Sequence, residues 1–253
     1  MSQVPTRRIL GVDFFVGSVD TAVERTVTQG GLVVAPSAPG LAVDLVKSAS
    51  YREALTTAEL AITDSGYMVL LWRFFTGEKL PRHSGLKFLR AMLERSELKR
   101  PGSVFWVMPS AGEDARNRAW LAGQGFPVTA DDVYLAPHYA AAGPIVDDEL
   151  VRRIADRRPR IVMLAIGGGV QERVGLMLRA QLKERPAILC LGAAIAFLTG
   201  GQASIPPWAD KLILGWLLRL LSNPRKFWRR YWDALALAPL LWRNRERLPA
   251  LRR

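Results

Sequence analysis

Cysteine and histidine are scarce. The 253 residues hold one cysteine, Cys190, and two histidines, His83 and His138. One cysteine cannot close an internal disulfide, and the set is too small for a Cys/His zinc site. The pattern fits a reducing compartment. Long apolar runs are missing too. None reaches the ~18–20 residues of a membrane span. The nearest, at 186–198 and 212–221, are Gly/Ala-rich and short in one case and broken by Arg219 in the other. Met1 to Arg8 is polar and the following apolar stretch is interrupted by Asp13, so no signal peptide is read there. At 49% hydrophobic and 23% charged residues, the composition excludes a disordered, collagen-like or low-complexity chain. Its length fits one large domain or two small ones.

What is present is uneven. Net charge is +12, and the last 46 residues carry +8 of it, from eleven Lys/Arg against Asp210, Asp233 and Glu246. The same stretch holds five of the eight tryptophans. A cationic, Trp-rich end on a nearly balanced body implies an anionic partner met by that end. Its Leu and Trp content exceeds what nucleic-acid phosphates alone require and suits a helix lying in a membrane interface, with a basic helix packed on its own domain, or one on nucleic acid, as the other readings.

Short apolar runs alternate with amphipathic ones. Strands are predicted at 9–15, 31–35, 60–63, 104–108, 133–136, 161–166 and 187–191. Helices are predicted at 19–29, 41–57, 67–75, 86–98, 113–125, 147–157 and 171–183, the first capped by Ser18. This order predicts an α/β fold: a Rossmann-like parallel sheet covered by helices on both faces. After Gly200, the Pro206-Pro207-Trp208 turn leads to helices expected at 211–221 and 225–241, split by Asn223-Pro224. The expected division is an α/β body, 1–200, and a basic helical appendage, 201–253.

In open α/β sheets, ligands bind beyond the carboxyl ends of the strands. Polar residues stand at three such ends: Ala35-Pro36-Ser37, Thr63-Asp64-Ser65-Gly66, and Gly167-Gly168-Gly169-Val170-Gln171-Glu172. The glycine run can offer backbone amides to a phosphate or simply make a tight turn. It matches neither the dinucleotide fingerprint nor the P-loop. Asp64 can serve as a general base or as a helix cap. Arg82 can pair with a phosphate or stay solvated in its loop, and His83 can carry a proton or be structural.

Several segments then line up in one order. Leu60-Ala61-Ile62-Thr63-Asp64-Ser65 precedes Leu80-Pro81-Arg82-His83-Ser84-Gly85. The Gly167–Glu172 run, Gly192-Ala193-Ala194 and Pro206-Pro207-Trp208 follow. The chain closes on Trp216-Leu217-Leu218-Arg219-Leu220, Pro224-Arg225-Lys226 and Arg229-Arg230-Tyr231. In this the chain resembles the WecG/TagA/CpsF-type bacterial glycosyltransferases, glycosyltransferase family 26, from about residue 11 to residue 231.

The resemblance implies an inverting, metal-independent hexosyl- or N-acetylhexosaminyltransferase at the inner face of the bacterial membrane. It would move a sugar from a UDP-sugar donor to a polyprenyl-pyrophosphate-linked acceptor during exopolysaccharide, capsule or other cell-surface glycan synthesis. Asp64 matches the catalytic base. Ser37, Arg82, Gly168, Gln171 and Glu172 match the donor side. Arg219, Arg225, Arg229 and Arg230 match tail arginines facing the donor or acceptor diphosphate. No cofactor is expected. The expected partners are the donor, the glycolipid, an anionic membrane surface, other glycan-synthesis membrane proteins and a second copy of the chain; nucleic acid is not expected. Ser37, Ser65, Val170, Ala196, Ser204 and Gly215 depart from the family pattern, and they put its usual N-acetylmannosamine donor in question. Two other readings stay open: a non-catalytic member that binds nucleotide sugar or glycolipid for other enzymes, and a nucleic-acid-binding α/β protein.

Overall fold

A computed structural model describes residues 5–192, 194–201 and 224–252. The Pro206-Pro207-Trp208 turn, the helix expected at 211–221 and Arg219 lie outside these residues.

Eight strands form one sheet in the order β1-β2-β4-β3-β8-β7-β5-β6. They are β1 (Thr6–Ile9), β2 (Val12–Phe15), β3 (Gly31–Val34), β4 (Leu60–Ile62), β5 (Val104–Met108), β6 (Val133–Leu135), β7 (Ile161–Leu164) and β8 (Ala187–Cys190). All pairings are parallel except β1 with β2. The expected α/β class and parallel sheet are found, because strands buried on both faces read as unbroken apolar runs.

Where one strand was predicted at 9–15, the chain makes a hairpin. Leu10 and Gly11 both have positive φ, +50° and +80°, the pairing a two-residue primed turn requires. The apolar run hides the turn because Leu10 is itself fully buried.

Helices cover both faces. One face carries α2 (Leu45–Lys47), α3 (Ala49–Thr56), α4 (Gly66–Thr76), α7 (Asp148–Arg157) and α8 (Val170–Gln181). The other carries α1 (Val19–Gln29), α5 (Gly85–Leu93), α6 (Ala111–Gly123) and α9 (Ala194–Leu198). The helix predicted at 41–57 is three pieces: a π-helical turn at Gly40–Asp44, then α2, then α3. Ser48 breaks it with extended backbone (φ −118°, ψ 113°), and its hydroxyl accepts from Tyr51 N–H to cap α3. On α8, a Cβ at Gly175 would lie 2.6 Å from Leu32 Cδ1 and 2.9 Å from Cys190 Sγ, so the helix lies close against β3 and β8.

The helix predicted at 225–241 is also two, α10 (Pro224–Leu235) and α11 (Leu237–Asn244). Leu237, Leu240 and Leu241 of α11 belong to the same buried cluster as Val12, Phe14 and Leu32. Beyond α11, Leu10 N–H donates to Arg245 O (2.7 Å) and Gly11 N–H to Glu246 O (2.9 Å). Arg52 Nη2 donates to Pro249 O, and Arg252 N–H to Val46 O (2.7 Å). The described end of the chain is thus tied to its first hairpin and to the α2–α3 bend.

Candidate functional site

Beside β3, the chain leaves toward α2 on one face; beside β8, it leaves toward α9 on the other. The two strands are neighbours, so their outgoing loops part and leave a crevice at their carboxyl ends. Three of the polar strand ends singled out in the sequence stand around it.

Asp64 follows β4. Ser65, not Asp64, caps α4, its hydroxyl accepting from Met68 N–H (3.2 Å). Asp64 Oδ1 instead accepts from Gly85 N–H (2.8 Å) at the start of α5. The loop before α5 is fastened along the same strand end. Thr63 Oγ1 donates to Pro81 O (2.6 Å), His83 N–H donates to Thr63 O (3.2 Å), and Arg82 Nε donates to Asp64 O (3.2 Å). Arg82 and Asp64 are therefore neighbours, though eighteen residues separate them.

His83 is buried. Its Nε2 donates to the Gly17 carbonyl (2.7 Å), which fixes the proton on that nitrogen. Burial lowers its pKa most; Lys87 adds to this, and the Gly17 bond opposes it. A neutral, buried imidazole braces the loop against the β2–α1 connection; the structural reading of His83 holds.

Across the crevice, Gln171 bridges α8 to the end of β8. Its Nε2 donates to Cys190 O (3.2 Å) and to Glu172 Oε1 (3.0 Å), and its Oε1 accepts from Gly192 N–H (2.6 Å). Glu172 Oε2 accepts from Gly169 N–H (2.7 Å). Gly167 and Gly168 present exposed backbone at the rim. The two halves meet at Gly85: a Cβ there would lie 3.7 Å from Asp64 Oδ1, 3.8 Å from Ala35 Cβ and 3.8 Å from Leu191 O. Leu191 adjoins Gly192, which Gln171 holds. Ser37 closes the β3 side, its carbonyl accepting from Leu41 N–H (3.0 Å) as the π turn begins.

The structure thus brings Asp64 and Arg82 together, and it sets Ser37 and the Gly168, Gln171 and Glu172 loop at the neighbouring strand ends. Gln171 and Glu172 are buried with protein partners on their polar atoms. The α10 helix packs on the π turn beside Ser37. Arg229 is exposed on it; Arg225 and Arg230 lie on the same helix, and their side chains are outside the described residues. Sequence reasoning passed over Asp44, whose carboxylate oxygen would stand 3.1 Å from a Cβ at Gly169. Its one signal was an acid inside an apolar stretch. Among the described residues, no group of three or more His, Cys, Asp or Glu is placed to hold a metal ion.

A comparison with curated proteins finds no match. A family profile, the glycosyl transferase WecG/TagA/CpsF family, matches residues 7–250. That span takes in the whole sheet except Thr6, with Ser37, Asp64, Arg82, Gly168, Gln171 and Glu172, and the chain belongs to the WecG/TagA/CpsF family of glycosyl transferases.

Proposed function

We propose that the chain transfers a sugar, with inversion, from a UDP-sugar to a polyprenyl-pyrophosphate-linked acceptor at an anionic membrane surface, with Asp64 as general base. The observation that carries this is the pairing of Asp64 with Arg82 beside the β3–β8 crevice, across Leu191–Gly192 from Gln171.

In this reading the Asp64 carboxylate takes the proton of an acceptor hydroxyl as its oxygen attacks the anomeric carbon. The new C–O bond forms on the face opposite the leaving group. The bond from the anomeric carbon to the β-phosphate oxygen breaks, and its electron pair leaves on UDP. Arg82, the exposed amides of the glycine loop and the tail arginines Arg219, Arg225, Arg229 and Arg230 meet the charge that builds on the diphosphate.

Membrane contact is supported by the surface. Phe74 is 81% exposed and Leu70 49% exposed, one helical turn apart on α4. Phe75 packs on Trp242 of α11, itself 56% exposed (ring centroids 5.3 Å). Neither helix carries an acid, and each carries an arginine, Arg73 and Arg243. Trp228, Trp232 and Leu235 are exposed at i, i+4, i+7 on α10. Aromatic and cationic residues on one surface suit an anionic interface. No helix among the described residues is long and apolar enough to cross a membrane.

The test is UDP release from a panel of UDP-sugars, with membranes bearing polyprenyl-pyrophosphate-linked sugars. Release that needs those membranes and falls about 10²–10⁴-fold in Asp64→Asn is expected. Undiminished turnover in Asp64→Asn rejects the base. No release from any donor, with the acceptor shown to be present, favours a non-catalytic binder.

A further inference from the structure

Three acids are buried among the described residues: Asp114, Asp132 and Glu172. Asp114 pairs with Arg118 (2.7 Å) and Asp132 with Arg157 (2.6 Å). Glu172 is different. Its oxygens accept from two uncharged groups, Gly169 N–H and Gln171 Nε2, and no ion pair to it is found among the described residues. The other titratable groups acting on it do not relieve it. Asp44 on the π turn repels its charge, and Cys190 on β8 is buried beside it with its thiol pushed up. Arg173, next on α8, turns its guanidinium to the carbonyls of Ala140, Ala141 and Gly143.

A buried carboxylate with no cation is costly, and here its place in the first turn of α8, capping the Gly169 N–H, offsets part of that cost. Glutamine cannot replace it here. The two donors approach different oxygens, and an amide would set its own NH₂ against one of them. The ionised carboxylate accepts both on full acceptor oxygens. What it holds is the turn at Gly169 and the Gln171 carboxamide, and Gln171 in turn fixes Gly192.

We propose that Glu172 is a positioning residue that, in its ionised form, orders the Gly167–Gln171 loop and the Gln171 carboxamide for the donor diphosphate. The donor assignment rests on the function proposed above; the ordering of the loop does not. Burial pushes the carboxyl up to about 7, against the pull of its hydrogen bonds, so its ionisation falls in the neutral range. When protonated, one oxygen carries a hydrogen and becomes the weaker acceptor for one of the two N–H groups.

The first measurement uses the full chain without ligand: hydrogen-exchange protection factors of the Gly169 and Gly192 amides at pH 6 and pH 8. Protection at pH 8 that is about tenfold lower in Glu172→Gln than in the wild type is expected. An infrared carboxylic-acid band in the wild type that disappears between those pH values needs no variant and reports the same ionisation. Equal protection of both amides in Glu172→Gln and wild type overturns the proposal. The second measurement is UDP affinity across the same pH range. It should strengthen about tenfold more in wild type than in Glu172→Gln, a difference that cancels the titration of UDP itself. If wild type binds no UDP at any pH, the nucleotide-sugar reading falls, while the exchange data still decide the role of Glu172 in the loop.

Discussion

Gly175 marks where α8 comes nearest the sheet, and it does so by lacking a side chain. A methyl there meets Leu32 Cδ1 and Cys190 Sγ, both fully buried. Gly175→Ala is expected to destabilise by about 1–3 kcal/mol despite alanine's better helix propensity, because overpacking a dense core outweighs it. Thermal unfolding should show a Tm lowered by about 2–4 °C per kcal/mol. Glu172 gives a second test in the same assay, and the sign is fixed. Its folded pKa of about 7 lies above the ordinary 4.5, so the native state binds more protons than the unfolded one between them. Stability contributed by the protonated group is full below pH 4.5 and is lost as pH rises through 7. Glu172→Gln should remove that slope, seen as the difference between the two pH–stability curves.

At the scale of elements, caps decide where the site residues stand. The hydroxyl of Ser65 starts α4 and leaves the Asp64 carboxylate to the first turn of α5. Ser65→Ala should cost about 1 kcal/mol, read as a Tm drop, and should lower turnover by loosening the strand end that carries Asp64. Strand positions were legible in the sequence because two-faced burial leaves an apolar run. Breaks inside elements were not: Leu10-Gly11 turns a hairpin within an apolar run, and Ser48 splits an amphipathic helical stretch. The strand ends bearing Asp64 and Gln171 could be read as candidate loops. That Gly85 would bring Asp64, Ala35 and Leu191 within ångströms of one another depends on strand order, which no local pattern encodes.

For the molecule as a whole, charge and exposed aromatic surface act together. Phe74 and Leu70 are solvent-facing, so Leu70→Glu with Phe74→Glu should leave Tm within about 1 °C. The same pair should weaken binding to phosphatidylglycerol vesicles at least about tenfold, since apolar burial is lost and repulsion gained. Wild-type binding should fall as salt rises from 50 to 500 mM, measured by cosedimentation. Equal binding by variant and wild type would place the membrane contact elsewhere.

The bonds between Leu10 or Gly11 and the chain's last residues also set a timetable. The ribosome delivers the hairpin long before the leucines of α11, yet they share one core. A growing chain can pair its strands as they emerge, but the face awaiting Leu237, Leu240 and Leu241 stays open to water until α11 has been made. Chains stopped short of those residues would keep that face sticky and depend on chaperones. The hairpin is therefore completed only by residues made long after it.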